Sequence, residues 1–188
     1  MRTALFAATI ASALLSACGG PQSSQANNTQ ANMSGSASPP ATASGHPVQV
    51  SMEPVDKDTA AKLMHERHEA MENMGKASKA IKRTLDATPL DLTAVQQAVP
   101  PIFDTTAAKI TSWFPAGTGP DVGKTGAKPD IWKNPQDFAQ KATDFEAATK
   151  ELGDAMTGAK PDQIKAAFNK VQGTCKACHD KYRAEMHH

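Results

Sequence analysis

Four stretches of this chain carry apolar residues at the alternating three- and four-residue steps that line one face of an α-helix. The first runs from about Val55 to Asp86 and aligns Met64, Arg67, Met71, Met74, Ser78, Ile81 and Leu85. Asp56 or Asp58 can cap it, and Pro89 stops it. The second runs from Leu92 to Phe114, with Leu92, Val95, Val99, Ile102, Phe103, Ile110 and Phe114 as its apolar set. Pro100-Pro101 falls inside it, and proline removes a backbone donor and clashes with the preceding turn, so a kink or two shorter helices are expected. The third begins after Asn134-Pro135, a cap followed by proline at the first helical position, and carries Phe138, Ala142, Phe145, Thr149, Leu152 and Met156 before Gly158. The fourth opens at Lys160-Pro161-Asp162 and carries Ile164, Phe168, Val171, Cys175, Cys178 and Tyr182 at the same steps.

Between the second and third stretches lies Pro115 to Pro135, rich in glycine and proline, with Ile131 and Trp132 near its end. Those two should pack down on the helices, which makes the segment an ordered crossover and not a hairpin. The expected fold is therefore all-α: a four-helix bundle with a long crossover loop between helices 2 and 3. One member of the first seam is a charge. A buried guanidinium is costly without an anion, so Arg67 needs a partner carboxylate or a ligand carrying one, unless it snorkels to water.

Residues 1–18 have another purpose. Arg2, the apolar run Ala4 to Leu15 and the ending Leu15-Ser16-Ala17-Cys18 form the pattern of a cleaved secretory signal, too short to span a bilayer at roughly 20 residues per crossing. Leu-Ser-Ala-Cys also resembles a bacterial lipobox, which would lipidate Cys18; the alternative is an ordinary signal cut nearby. From Gly19 the chain is Ser, Ala, Asn, Gln, Gly and Pro with almost no large apolar residue to about Val50. Residues 19–54 are read as a flexible tether and 55–188 as the folded domain. His46 and Met33 lie in the tether and are given no role. The expected location is periplasmic, with the membrane reached only through the lipid anchor. Without residues 1–18 the chain is formally neutral, 19 basic against 19 acidic side chains, so no basic surface points to nucleic acid.

The chemistry is concentrated in Cys175-Lys176-Ala177-Cys178-His179. The spacing C-x-x-C-H is a c-type haem attachment signal, in which the thiols add across the two haem vinyl groups and His179 binds the iron. A dithiol redox pair would follow a strand at a helix N-terminus, whereas here the thiols lie deep in a helical pattern. A zinc site drawing on His65, His68, His187 or His188 would lack a second knuckle at recognisable spacing. Buried structural thiols in an exported chain would risk disulfide formation. Both cysteines share the seam of their helix, with His179 one turn beyond Cys175 and Arg183 a turn further.

The run Gly173 to Arg183 resembles the end of the class II c-type cytochromes, the cytochrome c prime family and its low-spin relatives. Trp113 to Gly119, with Ile131-Trp132, resembles that family's second helix end and crossover loop, and Arg67 to Gly75 its first helix. The likeness covers about residues 55 to 186. It implies one covalent haem c near one end of the bundle, with Cys175 and Cys178 in thioether links and His179 as the proximal iron ligand. It further implies Arg67 beside a haem propionate, Arg183 near the proximal histidine, and Met71 facing the distal side of the iron. There the family divides. In one branch a methionine coordinates and the protein carries electrons between redox partner proteins; in the other the iron is five-coordinate and binds nitric oxide or carbon monoxide. Electron transfer through Met71-ligated iron, without substrate turnover, is the expectation, and gas binding the alternative. Met64 and Met74 are read as core, and His65 and His68 as surface residues. Family members often dimerise through their first two helices, so a homodimer is a further expectation, with Pro100-Pro101 interrupting that surface.

Overall fold

The computed structural model describes residues 48–158 and 160–185. The signal, Cys18, most of the tether with Met33 and His46, and His187 and His188 lie outside the described residues. Helix α1 spans Lys57–Leu85 and is started by Asp56, whose carboxylate accepts the N–H groups of Asp58 and Thr59 at 3.0 Å each. Lys82 and Arg83 in its last turn complement the helix dipole. The buried face is Ala60, Arg67, Ala77 and Ile81, while Met64, Met71, Met74 and Leu85 are half-buried beside it.

The second stretch is more broken than a kink. It forms three short helices, α2 (Leu92–Ala98), α3 (Pro100–Phe103) and α4 (Ala107–Ser112), in place of the one or two expected. Pro100 and Pro101 start α3, as their fixed φ and missing N–H allow. Thr106 then starts α4, its hydroxyl accepting the N–H of Lys109. Glu146 reaches over from α6 (Pro135–Thr157) to accept the N–H of Ala107 at 2.9 Å. Two interruptions, not one, divide this segment: Val99 before the prolines and the polar run Asp104–Thr106.

The crossover includes a short helix, α5 (Asp130–Lys133), with Ile131 only 1% exposed. Asn134 is not the side-chain cap of α6 that was expected: its amide donates to the carbonyl of Asp130 and closes α5. In α6, Phe138, Ala142, Phe145, Thr149 and Leu152 are buried in the anticipated register. Helix α7 (Pro161–Tyr182) buries Ile164, Phe168, Val171 and Tyr182 against it, the most extensive helix contact among the described residues. Fully burying a side chain such as Phe168 contributes roughly 2–3 kcal/mol. With α2–α4 serving as the second member, these helices make the four-helix bundle. The described residues contain no β-strand, only an isolated bridge between Ala127 and Arg183.

The folded part begins before the expected boundary at residue 55. Val50 is buried in the core and Val48 packs against it. Ser51 accepts the Ala116 N–H at 2.9 Å, and Val55 donates to the Ala116 carbonyl at 3.2 Å, so 48–55 forms a strap on the turn after α4. Gly117 sits in that turn at φ +83°, a conformation open to glycine.

Candidate functional site

Cys175 and Cys178 lie in the C-terminal half of α7, both half-buried, both free thiols, both packed against the core. Burial pushes both thiols up; Cys178 reaches about 11, with repulsion from Cys175 adding to the effect. That is opposite to the lowered thiol of a dithiol redox pair at a helix N-terminus. Burial also lowers His179, and the positive charge of Arg183 lowers it further, so the imidazole is held neutral and able to donate a lone pair to a metal. Among the described residues, no three His, Cys, Asp or Glu side chains gather into a metal site. His65 is exposed and pairs with Glu69 at 3.4 Å, and His68 is exposed. Two unbridged thiols at i and i+3, a neutral imidazole at i+4 and apolar surroundings fit covalent haem, and among the described residues no further ligand gathers to complete the zinc alternative.

Arg67 is 4% exposed and lacks a carboxylate partner among the described residues. It does not snorkel. One terminal nitrogen donates to the Trp113 carbonyl at 3.3 Å and the Thr118 hydroxyl at 3.1 Å. The other donates to the Thr118 carbonyl at 2.7 Å and the Thr125 hydroxyl at 2.6 Å. Its guanidinium carbon sits 4.9 Å from the centre of the Phe114 ring, within cation–π range. Burial pulls Arg67 down to about 10, so it remains a cation at neutral pH. The sequence frames the choice as carboxylate, ligand or water; the four acceptors found are neutral oxygens, three in the crossover loop and one at Trp113, just past α4.

The loop is closed from both ends. Trp132 donates its indole N–H to the carbonyls of Phe114 and Pro115, and Gly119 lies so close to the indole that an added Cβ would approach within 3.2 Å. Farther along, Lys128 donates its backbone N–H to the Tyr182 carbonyl at 2.9 Å, and Ala184 donates to Gly126 at 2.8 Å. These bonds flank the Ala127–Arg183 bridge and fasten the loop to the end of the cysteine-bearing helix. Arg183 itself is exposed, and its backbone N–H donates to the His179 carbonyl at 3.0 Å.

Met71 is half-buried on α1 and packs against the same core as the two thiols, as does Met74. Met64 instead approaches Gly123, its methyl 2.8 Å from where a Cβ would stand. Sequence reading missed three contributors. Thr118 and Thr125 are short polar residues in a glycine-rich loop, with no periodic signal to mark them. Asp137 accepts from the Tyr182 hydroxyl at 2.5 Å and from Lys181 at 2.9 Å, tying α6 to the last turn of α7. Its place in the first turn of α6 was readable as a helix-start preference, but its partners were not.

Residues 62–183 match the family model described as Cytochrome C'. Over 71 residues the chain is 37% identical to the cytochrome c' of Allochromatium vinosum, covering 37% of this chain and 46% of that protein. Over 108 residues it is 30% identical to cytochrome c-555 of Bradyrhizobium diazoefficiens, covering 56% and 70%. The matched stretch spans about half the length of the first relatives. Among solved structures, a cytochrome c' with an unusual ligand-controlled dimer dissociation superposes with a TM-score of 0.61 at 26% identity, over 71% of this chain and 100% of that one. A nitric oxide complex of a mutant cytochrome c prime from Alcaligenes xylosoxidans gives 0.58 at 27%, with the same coverage. With that match running from α1 through the helix that carries both thiols and His179, the chain belongs to the cytochrome c' family of haem-containing c-type cytochromes.

Proposed function

We propose that this chain is a one-electron carrier with a single haem c, exported to the periplasm and held at a membrane by a lipidated Cys18. Cys175 and Cys178 hold the group through thioether links, and His179 supplies a neutral imidazole as proximal ligand. When bound, the haem iron supplies the one-electron couple. The buried cation of Arg67 favours the reduced haem, and its Nε–H, the one N–H position of this guanidinium without an acceptor among the described residues, is left for a haem carboxylate.

The observation that carries the electron-transfer reading is Met71. Its thioether lies on α1, half-buried against the core that also receives Cys175 and Cys178, and thioether sulfur is a soft ligand that suits haem iron. The ferric protein should show the methionine-to-iron charge-transfer band near the red edge of the visible spectrum. Met71→Ala should convert low-spin iron to high-spin, and an unchanged spectrum overturns ligation by Met71.

The second reading is a gas-binding cytochrome, supported by the likeness to a protein solved as its nitric oxide complex. It requires that Met71 serve only as packing, as methionine often does. A high-spin ferric spectrum that changes promptly with nitric oxide would select it. For the anchor, mass spectrometry of the mature N-terminus should find diacylglycerol on Cys18; an unmodified start elsewhere removes that part of the proposal.

A further inference from the structure

The Thr125 hydroxyl stands where two fastenings meet. Its oxygen accepts from Arg67 at 2.6 Å and from the backbone N–H of Ala127 at 3.1 Å. Arg67 belongs to α1, the helix of Met71. Ala127 belongs to the bridge with Arg183, flanked by the Lys128–Tyr182 and Ala184–Gly126 bonds. Arg183 in turn donates to the His179 carbonyl. Hydrogen bonds, linked by the backbone at 126–128 and 182–184, thus run from α1 through one side chain to the last turn of α7. Thr118, the other hydroxyl on Arg67, closes back on the Pro115 carbonyl and has no bond to the Ala127–Arg183 clasp.

We propose that Thr125 is a positioning residue for the haem site, its hydroxyl oxygen joining the buried arginine of α1 to the backbone clasp at the end of the helix that carries His179. The proposal rests on haem being attached at Cys175 and Cys178. Valine keeps the shape of Thr125 but offers no acceptor, so the charge-assisted bond and the turn at Ala127 are both lost. Serine keeps the acceptor.

The test compares wild type, Thr125→Val, Thr125→Ser and Thr118→Val as full-length holoproteins, by amide hydrogen exchange and midpoint potential. Thr125→Val should raise exchange at Ala127, Lys128 and Ala184 by roughly tenfold, as expected for losing a hydrogen bond to a charged group, and should displace the potential. Thr125→Ser should restore both. Thr118→Val should leave exchange at Lys128 and Ala184 as in wild type. An unchanged potential in Thr125→Val, no rescue by serine, or an equal effect of Thr118→Val overturns the proposal. Haem content is read separately, from the pyridine absorbance of denatured protein. A wild-type chain without covalent haem defeats the haem assignment, whereas a haem-loaded Thr125→Val identical to wild type defeats only the role of Thr125.

Discussion

The α6–α7 pair and the α2–α4 segment occupy comparable places in the bundle, yet they are held together by different means. In α6 and α7 the apolar period runs without interruption, and Phe138, Phe145, Leu152, Ile164, Phe168 and Val171 are buried where it puts them, with Met156, Cys175 and Cys178 half-buried at its ends. In α2–α4 the apolar residues are present too, with Val95, Val99, Ile102 and Ile110 all buried, but the backbone between them is broken twice. What restores order there is polar and distant in sequence: Glu146 on the Ala107 N–H, and Arg67 on the carbonyl of Trp113 just past α4. A continuous seam specifies its own geometry, whereas a broken one depends on side chains from other helices.

The comparison can be broken most forcefully in the continuous half. Phe168→Ala removes a side chain that is 1% exposed between α6 and α7, and should cost about 4 kcal/mol in chemical denaturation. Arg67→Leu should cost about 2–3 kcal/mol, because it leaves buried acceptors at Trp113 and Thr118 unmet, and faster amide exchange should be concentrated in residues 114–128. If that exchange instead spread evenly through α6 and α7, the two halves would not differ as described. Glu146→Ala should cost about 1 kcal/mol, the worth of a helix cap, with the largest exchange changes in the first turn of α4.

Smaller effects sharpen the picture at the surface. Hydrogen bonds from Tyr182, and then from Lys181, hold the Asp137 carboxyl below its ordinary value. A carboxylate favoured in this way stabilises the fold above its unfolded pKa of about 3.9, and the stabilisation is lost as pH falls through the lower folded value. Asp137→Asn should therefore flatten the acid limb of a stability profile, by less than about 1 kcal/mol because the side chain is 41% exposed and screened by water. Lys170→Ala, which removes the exposed ion pair with Glu151, should change stability by under about 0.5 kcal/mol.

What could be read in the sequence follows the same division. The seams of α6 and α7, the placement of Cys175, Cys178 and His179 on one helix, and the packing of Ile131 were legible because apolar period and motif spacing are local properties. The second break before α4 was not, since Thr105 and Thr106 look unremarkable until Glu146 is brought near. Arg67 was legible as a problem but not in its solution. Its acceptors lie 46 to 58 residues away, and three of the four belong to threonines that carry no pattern. The early start of the fold was likewise hidden, because a lone buried Val50 at the end of a polar stretch does not form a period.

That early start has a mechanical consequence. Since Ser51 and Val55 are hydrogen-bonded to Ala116, tension drawn along the chain from upstream of Val48 is delivered to the turn following α4 before it reaches α1. The load path enters the molecule beside Trp113 and Thr118, two of the residues on which Arg67 is seated. Pulling from the N-terminus and pulling from the C-terminus would therefore begin to open the protein at different places.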